Sequence, residues 1–192
     1  MQRLQVKKMT ISGILMALGL VLPFLTGQIQ SIARWISPMH IPVLICGLTC
    51  ECWWGCGVGF VLPLLRGILF GMPVVPHTAL PMAFELAAYG LFSGLLYPFF
   101  IKAMKQDSHL IPMITALVIS MVLGRLVGGA AKAFFLVIGL IHANAPFTME
   151  VFLTSYFVST APGALIHILI VPAVCLALER AKLSPILVEA RR

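Results

Sequence analysis

Charge is what this chain has least of. Charged residues make up 10% of its 192 positions and only six are acidic, against about 25% charged in an ordinary soluble domain. With 60% hydrophobic residues, a soluble fold of this length would lack the polar surface to cover itself. A phosphate loop is missing too. Gly57-Val58-Gly59 has no Lys-Ser/Thr after it and sits in an apolar run, so any work done with ATP falls to a partner. No polar linker or low-complexity stretch divides the chain, which reads as one transmembrane domain over residues 1–192. Residues 1–96 and 97–192 show no convincing repeat of the kind carriers with inverted halves carry.

In place of polar surface the chain has long apolar runs, about 9–29, 38–50, 53–72, 79–101, 110–141 and 150–178. The basic tip and the run from Met9 to Gly27 do not resemble a cleaved signal peptide, because the run is too long and no small-residue cleavage site follows. Nine of the thirteen Lys and Arg residues lie in three clusters beside those runs: Arg3, Lys7 and Lys8; Lys102 and Lys105; Arg180, Lys182, Arg191 and Arg192. That is the positive-inside distribution of a membrane protein, not the basic groove of a nucleic-acid binder. Charge parity then fixes the count. All three clusters fall inside only if the stretch from Pro38 to Gly71 turns back near Glu51, beside the interfacial pair Trp53 and Trp54. The expected fold is an all-α integral membrane protein, a bundle of six transmembrane helices with both termini cytoplasmic. Irregularities are expected in the short second run, at Gly124, Gly128 and Gly129 in the fifth, and at Pro162-Gly163 in the sixth.

Four charges remain inside the runs: Arg66, Glu85, Arg125 and Lys132. Each costs about 2.5–3.5 kcal/mol at a helix centre on insertion scales, so burial beside a partner or ligand is the default. On this topology they gather in the outer half of the bundle. Arg125 and Lys132, seven apart, share a helical face. Two readings stand side by side: an outward-opening pocket with excess positive charge for an anionic or electron-rich ligand, or a structural pairing of Glu85 with Arg125 or Arg66 beside a snorkelling Lys132. His40 and His77 sit at outer mouths and could line an entrance, while His167, deep in the last run, reads as a satisfied bundle residue.

Cys46, Cys50, Cys52 and Cys56 invite a metal or thiol reading, but their spacing lacks the paired CxxC knuckles of zinc sites. Packing of small apolar side chains is the plainer account; no metal or cofactor is expected. In the first run, Gly13 and Ala17 form a small-xxx-small face, suited to close helix packing within the bundle or against a partner.

Three phrases carry a resemblance: SPMHIPVLICGL (Ser37 to Leu48), GCGVGFVLPLLRGILFGMP (Gly55 to Pro73) and LPMAFELAAYGLFSGLLY (Leu80 to Tyr97). In their order and spacing they resemble the substrate-binding S components of energy-coupling-factor vitamin transporters of prokaryotic cell membranes. The resemblance implies a six-helix bundle that binds a vitamin near the outer face beneath a loop, here Gln28 to His40. It also implies association with a membrane coupling subunit and two ATPase subunits, docked through small residues in the first span, which Gly13 and Ala17 match. The Cys50-Glu51-Cys52 turn departs from the glycine- and proline-like loop expected there. Substrates in the family vary. The pocket cations favour pantothenate slightly, with a pyridoxine-like vitamin next. Two rival classes are a membrane redox or metal-thiol enzyme built on Cys46 to Cys56, and an autonomous small-solute carrier.

Overall fold

The computed structural model describes residues 2–25, 37–104, 109–142 and 148–181. Among them all the regular structure is helical: α1 (Gln2–Leu25), α2 (His40–Cys50), α3 (Cys52–Phe70), α4 (Ala79–Met104), α5 (Leu110–Val137), α6 (Met149–Leu153), a π-helical turn (Thr154–Val158) and α7 (Ala161–Arg180). Five stretches are long and apolar enough to cross a membrane, the last running Met149–Arg180 through α6, the π turn and α7; α2 is a shorter apolar helix. Most of the expected lid from Gln28 to His40, together with Lys105, Lys182, Arg191 and Arg192, lies outside the described residues.

The short α2 is the centre of the bundle. Its 11 residues rise about 16 Å, roughly half of a 30 Å hydrocarbon core. Every residue of it except Ile41 is buried, against α1, α3, α4 and α7. A helix this short is stable in an apolar medium because its neighbours, rather than lipid, surround its ends.

The chain reverses between α2 and α3 at one residue. Glu51 has φ 102° and ψ 154°, a region costly for a side chain with a Cβ, of order 1–3 kcal/mol. Residues equidistant from it then meet. A Cβ on Gly55 would stand 2.6 Å from Gly47 Cα and 2.8 Å from Gly90 O, and one on Gly94 would stand 2.6 Å from Cys52 Cα. Gly47, Gly55, Gly90 and Gly94 therefore let the backbones of α2, α3 and α4 touch directly, the small-residue packing that holds helices together without hydrophobic driving force. At the same end, Lys8 Nζ of α1 lies 2.7 Å from Glu51 Oε2, which ties α1 to the reversal.

α1 attaches by one stripe. Lys8, Ser12, Leu15, Gly19 and Pro23 are buried at helical spacing, with Ser12 Oγ 3.3 Å from Cys46 Sγ, while Val6, Met9, Gly13, Ile14, Ala17, Leu18 and Val21 are exposed. The packing of Gly13 and Ala17 inside the bundle, open on spacing alone, is thus not what the fold uses them for.

Two irregularities fall elsewhere than expected. Gly124, Gly128 and Gly129 do not break α5, which runs unbroken from Leu110 to Val137. The discontinuity of the last span precedes Pro162-Gly163, at the π turn and Ser159-Thr160. Pro162 sits in the first turn of α7, where its missing N–H costs nothing.

Candidate functional site

Where α2 begins, the side chains change character. Glu85 and Tyr89 are four apart on α4 and so share a face; the Tyr89 hydroxyl donates to Glu85 Oε1 at 2.7 Å. His40, the first residue of α2, brings Nε2 to 3.9 Å from the same carboxylate oxygen. Its ring lies 5.1 Å from that of Tyr89 and is stacked on His167 of α7 at 5.7 Å and 13°. His40 Nδ1 is buried with no hydrogen-bond partner among the described residues. Glu85 keeps 13% of its side chain exposed, so it sits at the lip of the buried cluster rather than beneath it.

The glycines of α5 account for this placement. A Cβ at Gly128 would come within 2.7 Å of Glu85 Cβ, and one at Gly124 would run into the Tyr89 ring. The absent side chains are the space that Glu85 and Tyr89 occupy. Arg125, buried on the same helix, bears electrostatically on the Tyr89 hydroxyl. Its Nη2 reaches the Thr160 carbonyl at 3.4 Å, and its guanidinium carbon lies 5.7 Å from the Phe157 ring centre. The π turn makes both contacts possible. It carries Tyr156, whose hydroxyl donates to the Gly128 carbonyl at 3.3 Å, and Thr160 Oγ1 in turn bonds the Tyr156 carbonyl at 2.6 Å. Beside Arg125 a cleft of about 100 Å³ opens between α5 and α7, lined mainly by Val118, Met121, Val122, Phe157 and Ile168.

Of the residues singled out in the sequence, His40, Glu85 and Arg125 are thus brought to one cluster around Tyr89. Arg66 is not among their contacts. It is buried at the end of α1, donating to the Leu20 carbonyl at 2.6 Å between the rings of Phe24 (4.9 Å) and Phe70 (5.5 Å). Neither arginine forms an ion pair with Glu85 among the described residues; the groups beside its carboxylate are the Tyr89 phenol and the His40 imidazole. Lys132 lies half-buried two turns beyond Arg125. His77 is exposed on the α3–α4 connection, where its Nδ1 accepts from the His142 backbone N–H at 3.2 Å, away from the cluster.

Tyr89, Tyr156 and Thr160 were not anticipated. Tyr89 had a usable signal, its i+4 relation to an intramembrane carboxylate. Tyr156 and Thr160 had none, since their positions depend on a π turn that no local pattern announces. The cysteines are free thiols, Cys46, Cys50 and Cys175 fully buried, and no group of three or more His, Cys, Asp or Glu side chains among the described residues could hold a metal.

No curated protein and no solved structure matches this chain. A family model described as "ECF transporter, substrate-specific component" matches residues 7–188. That stretch takes in every described helix except the first residues of α1, and the chain belongs to the substrate-specific components of ECF transporters.

Proposed function

We propose that this chain captures a small water-soluble vitamin or related micronutrient at the Glu85–Tyr89–His40–Arg125 cluster for an ATP-driven importer. Membership of the family makes it a transport subunit and not an enzyme, so ATP hydrolysis belongs to partner ATPases joined through a membrane coupling subunit. The observation that carries the site is the cluster itself. Four polar side chains from three helices are gathered within an apolar bundle, where each is costly unless it serves a function or a partner. Lys132, two turns outward on the same helix, would face an approaching anion.

Six membrane crossings with both ends in the cytoplasm, in the plasma membrane of a prokaryotic cell, remain the topology that fits the basic clusters. The buried α2 then counts as the second, incomplete crossing. The coupling subunit would dock on the exposed α1 face that carries Gly13 and Ala17, since no side chain stands within 4 Å of a Cβ built on Gly13. Arg66 reads as a structural residue of the α1–α3 contact, and His77 as part of the loop surface.

Native mass spectrometry of the purified protein, before and after Arg125→Ala, tests the assignment. A bound small molecule that is lost in the variant supports it. A wild-type protein that stays empty when offered a panel of vitamins contradicts it.

A further inference from the structure

Arg125 is a buried charge that the fold leaves without a counter-charge. It keeps 8% of its surface exposed, and no carboxylate lies within ion-pairing reach of it among the described residues. Its Nη2 bond to the Thr160 carbonyl is long, 3.4 Å. That carbonyl already accepts the Ala164 N–H at 3.1 Å, so it does not depend on the arginine. A guanidinium has five N–H donors, and a charge buried without its opposite is strongly destabilising. Thr160 is also the cap of α7, a helix of 20 residues, whose N-terminal dipole adds positive potential at the same place. Both features call for an anion.

The cleft beside Arg125 shows what the anion is attached to. Val118, Met121 and Val122 of α5 wall it on one side and Ala164 and Ile168 of α7 on the other, with Arg125 and Phe157 at one end. A cavity of about 150 Å³ takes a benzene ring, so the cleft's volume of about 100 Å³ takes about four carbons. A lipid headgroup is the wrong source for the anion. By helical rise Arg125 lies about 18 Å from the Val137 end of α5 and about 22 Å from its Leu110 end. That is near the middle of a hydrocarbon core about 30 Å thick, where headgroups do not reach. A bare acyl chain brings no charge to that depth.

We propose, resting on the vitamin-binding assignment above, that the substrate carries an anionic group beside a short saturated end, the anion on Arg125 and about four carbons of hydrocarbon in the α5–α7 cleft.

The experiment is equilibrium binding to the purified full-length chain in lipid nanodiscs, read by saturation-transfer NMR with the signal of empty nanodiscs subtracted. The probes are acetate, butanoate, pentanoate and octanoate, with pentanamide as the uncharged control. Affinity should rise about fourfold per methylene from acetate to pentanoate and gain nothing further at octanoate. Pentanamide should bind about tenfold more weakly than pentanoate, and Arg125→Gln should cost acetate and pentanoate as much. Two variants fill the cleft from opposite walls, Ala164→Leu and Val122→Phe. Each should weaken pentanoate about tenfold or more while holding acetate within about twofold.

Affinity that keeps climbing through octanoate and survives Arg125→Gln makes the cleft a seat for lipid acyl chains and overturns the proposal. Equal loss of acetate and pentanoate in both filled variants overturns it too, as does pentanamide binding as well as pentanoate. The filled variants are then offered the vitamin panel. A vitamin that is lost in Arg125→Ala but keeps its affinity in both filled variants leaves the assignment standing and overturns this inference alone. A panel from which the wild-type protein binds nothing removes the assignment, and the inference with it.

Discussion

The two ends of α2 are built on opposite rules. At its Cys50 end, Gly47, Gly55, Gly90 and Gly94 bring three backbones together, and a Cβ anywhere in that set would collide with main chain. At its His40 end an imidazole of α2 meets a phenol and a carboxylate of α4, and Gly124 and Gly128 of α5 make room for Glu85 and Tyr89, while α3 still touches the α4 backbone through Gly59. Backbone-to-backbone packing has no soft side chain to adjust, so one end is a rigid frame. Polar side chains that exchange partners can adapt, so the other end can respond to a ligand.

The largest effect expected from breaking this comparison is at the frame. In Gly90→Ala the new methyl would meet the Gly55 backbone; overpacking of this kind costs about 1–3 kcal/mol, occasionally more. A clear fall in melting temperature or folded yield in detergent is expected. Gly57→Ala, where no atom lies within 4 Å, should show no fall. A next smaller effect is expected at the polar end. Glu85→Gln keeps an acceptor for Tyr89 but removes the charge, so substrate affinity should drop by about tenfold, 1.4 kcal/mol, with little change in melting temperature. Arg66→Met inverts that signature. It removes a hydrogen bond and two ring contacts, together worth about 1–2 kcal/mol, so stability should fall while titration shows affinity within about twofold of wild type. The smallest effect belongs to the joint change Lys8→Met with Glu51→Gln. The Glu51 side chain is 45% exposed, and partly exposed pairs contribute about 0–1 kcal/mol; chemical denaturation should find the double variant within that range.

The contrast between the two ends was only half legible in the sequence. The runs of apolar residues, the reversal near Glu51 and the burial of Glu85 and Arg125 all follow from charge being costly in lipid, which is a property of single residues and reads directly. Which charges meet is not such a property. Arg66 lies a few residues before the end of α3 and Glu85 a few residues after the start of α4, yet Arg66 turns to the α1 carbonyl of Leu20 and Glu85 to Tyr89. Helix rotation decided that, and the glycine contacts set the rotation. Likewise Gly124 and Gly128 suggested a broken helix because glycine weakens helices locally, whereas the fold uses them for clearance against α4. Gly13 and Ala17 show the reverse case: spacing named the face, and only the bundle showed that it points outward.

Hydrogen–deuterium exchange of the purified protein with and without its substrate tests the two-ended account most directly. Added protection should concentrate around His40, Glu85 to Tyr89, Gly124 to Gly128 and the π turn at Thr154–Val158, with none gained around Gly47, Gly55 and Gly90. Protection gained mainly across the Gly47–Gly55–Gly90 junction, with the polar end unchanged, would contradict the account and move the binding site to the other end of α2.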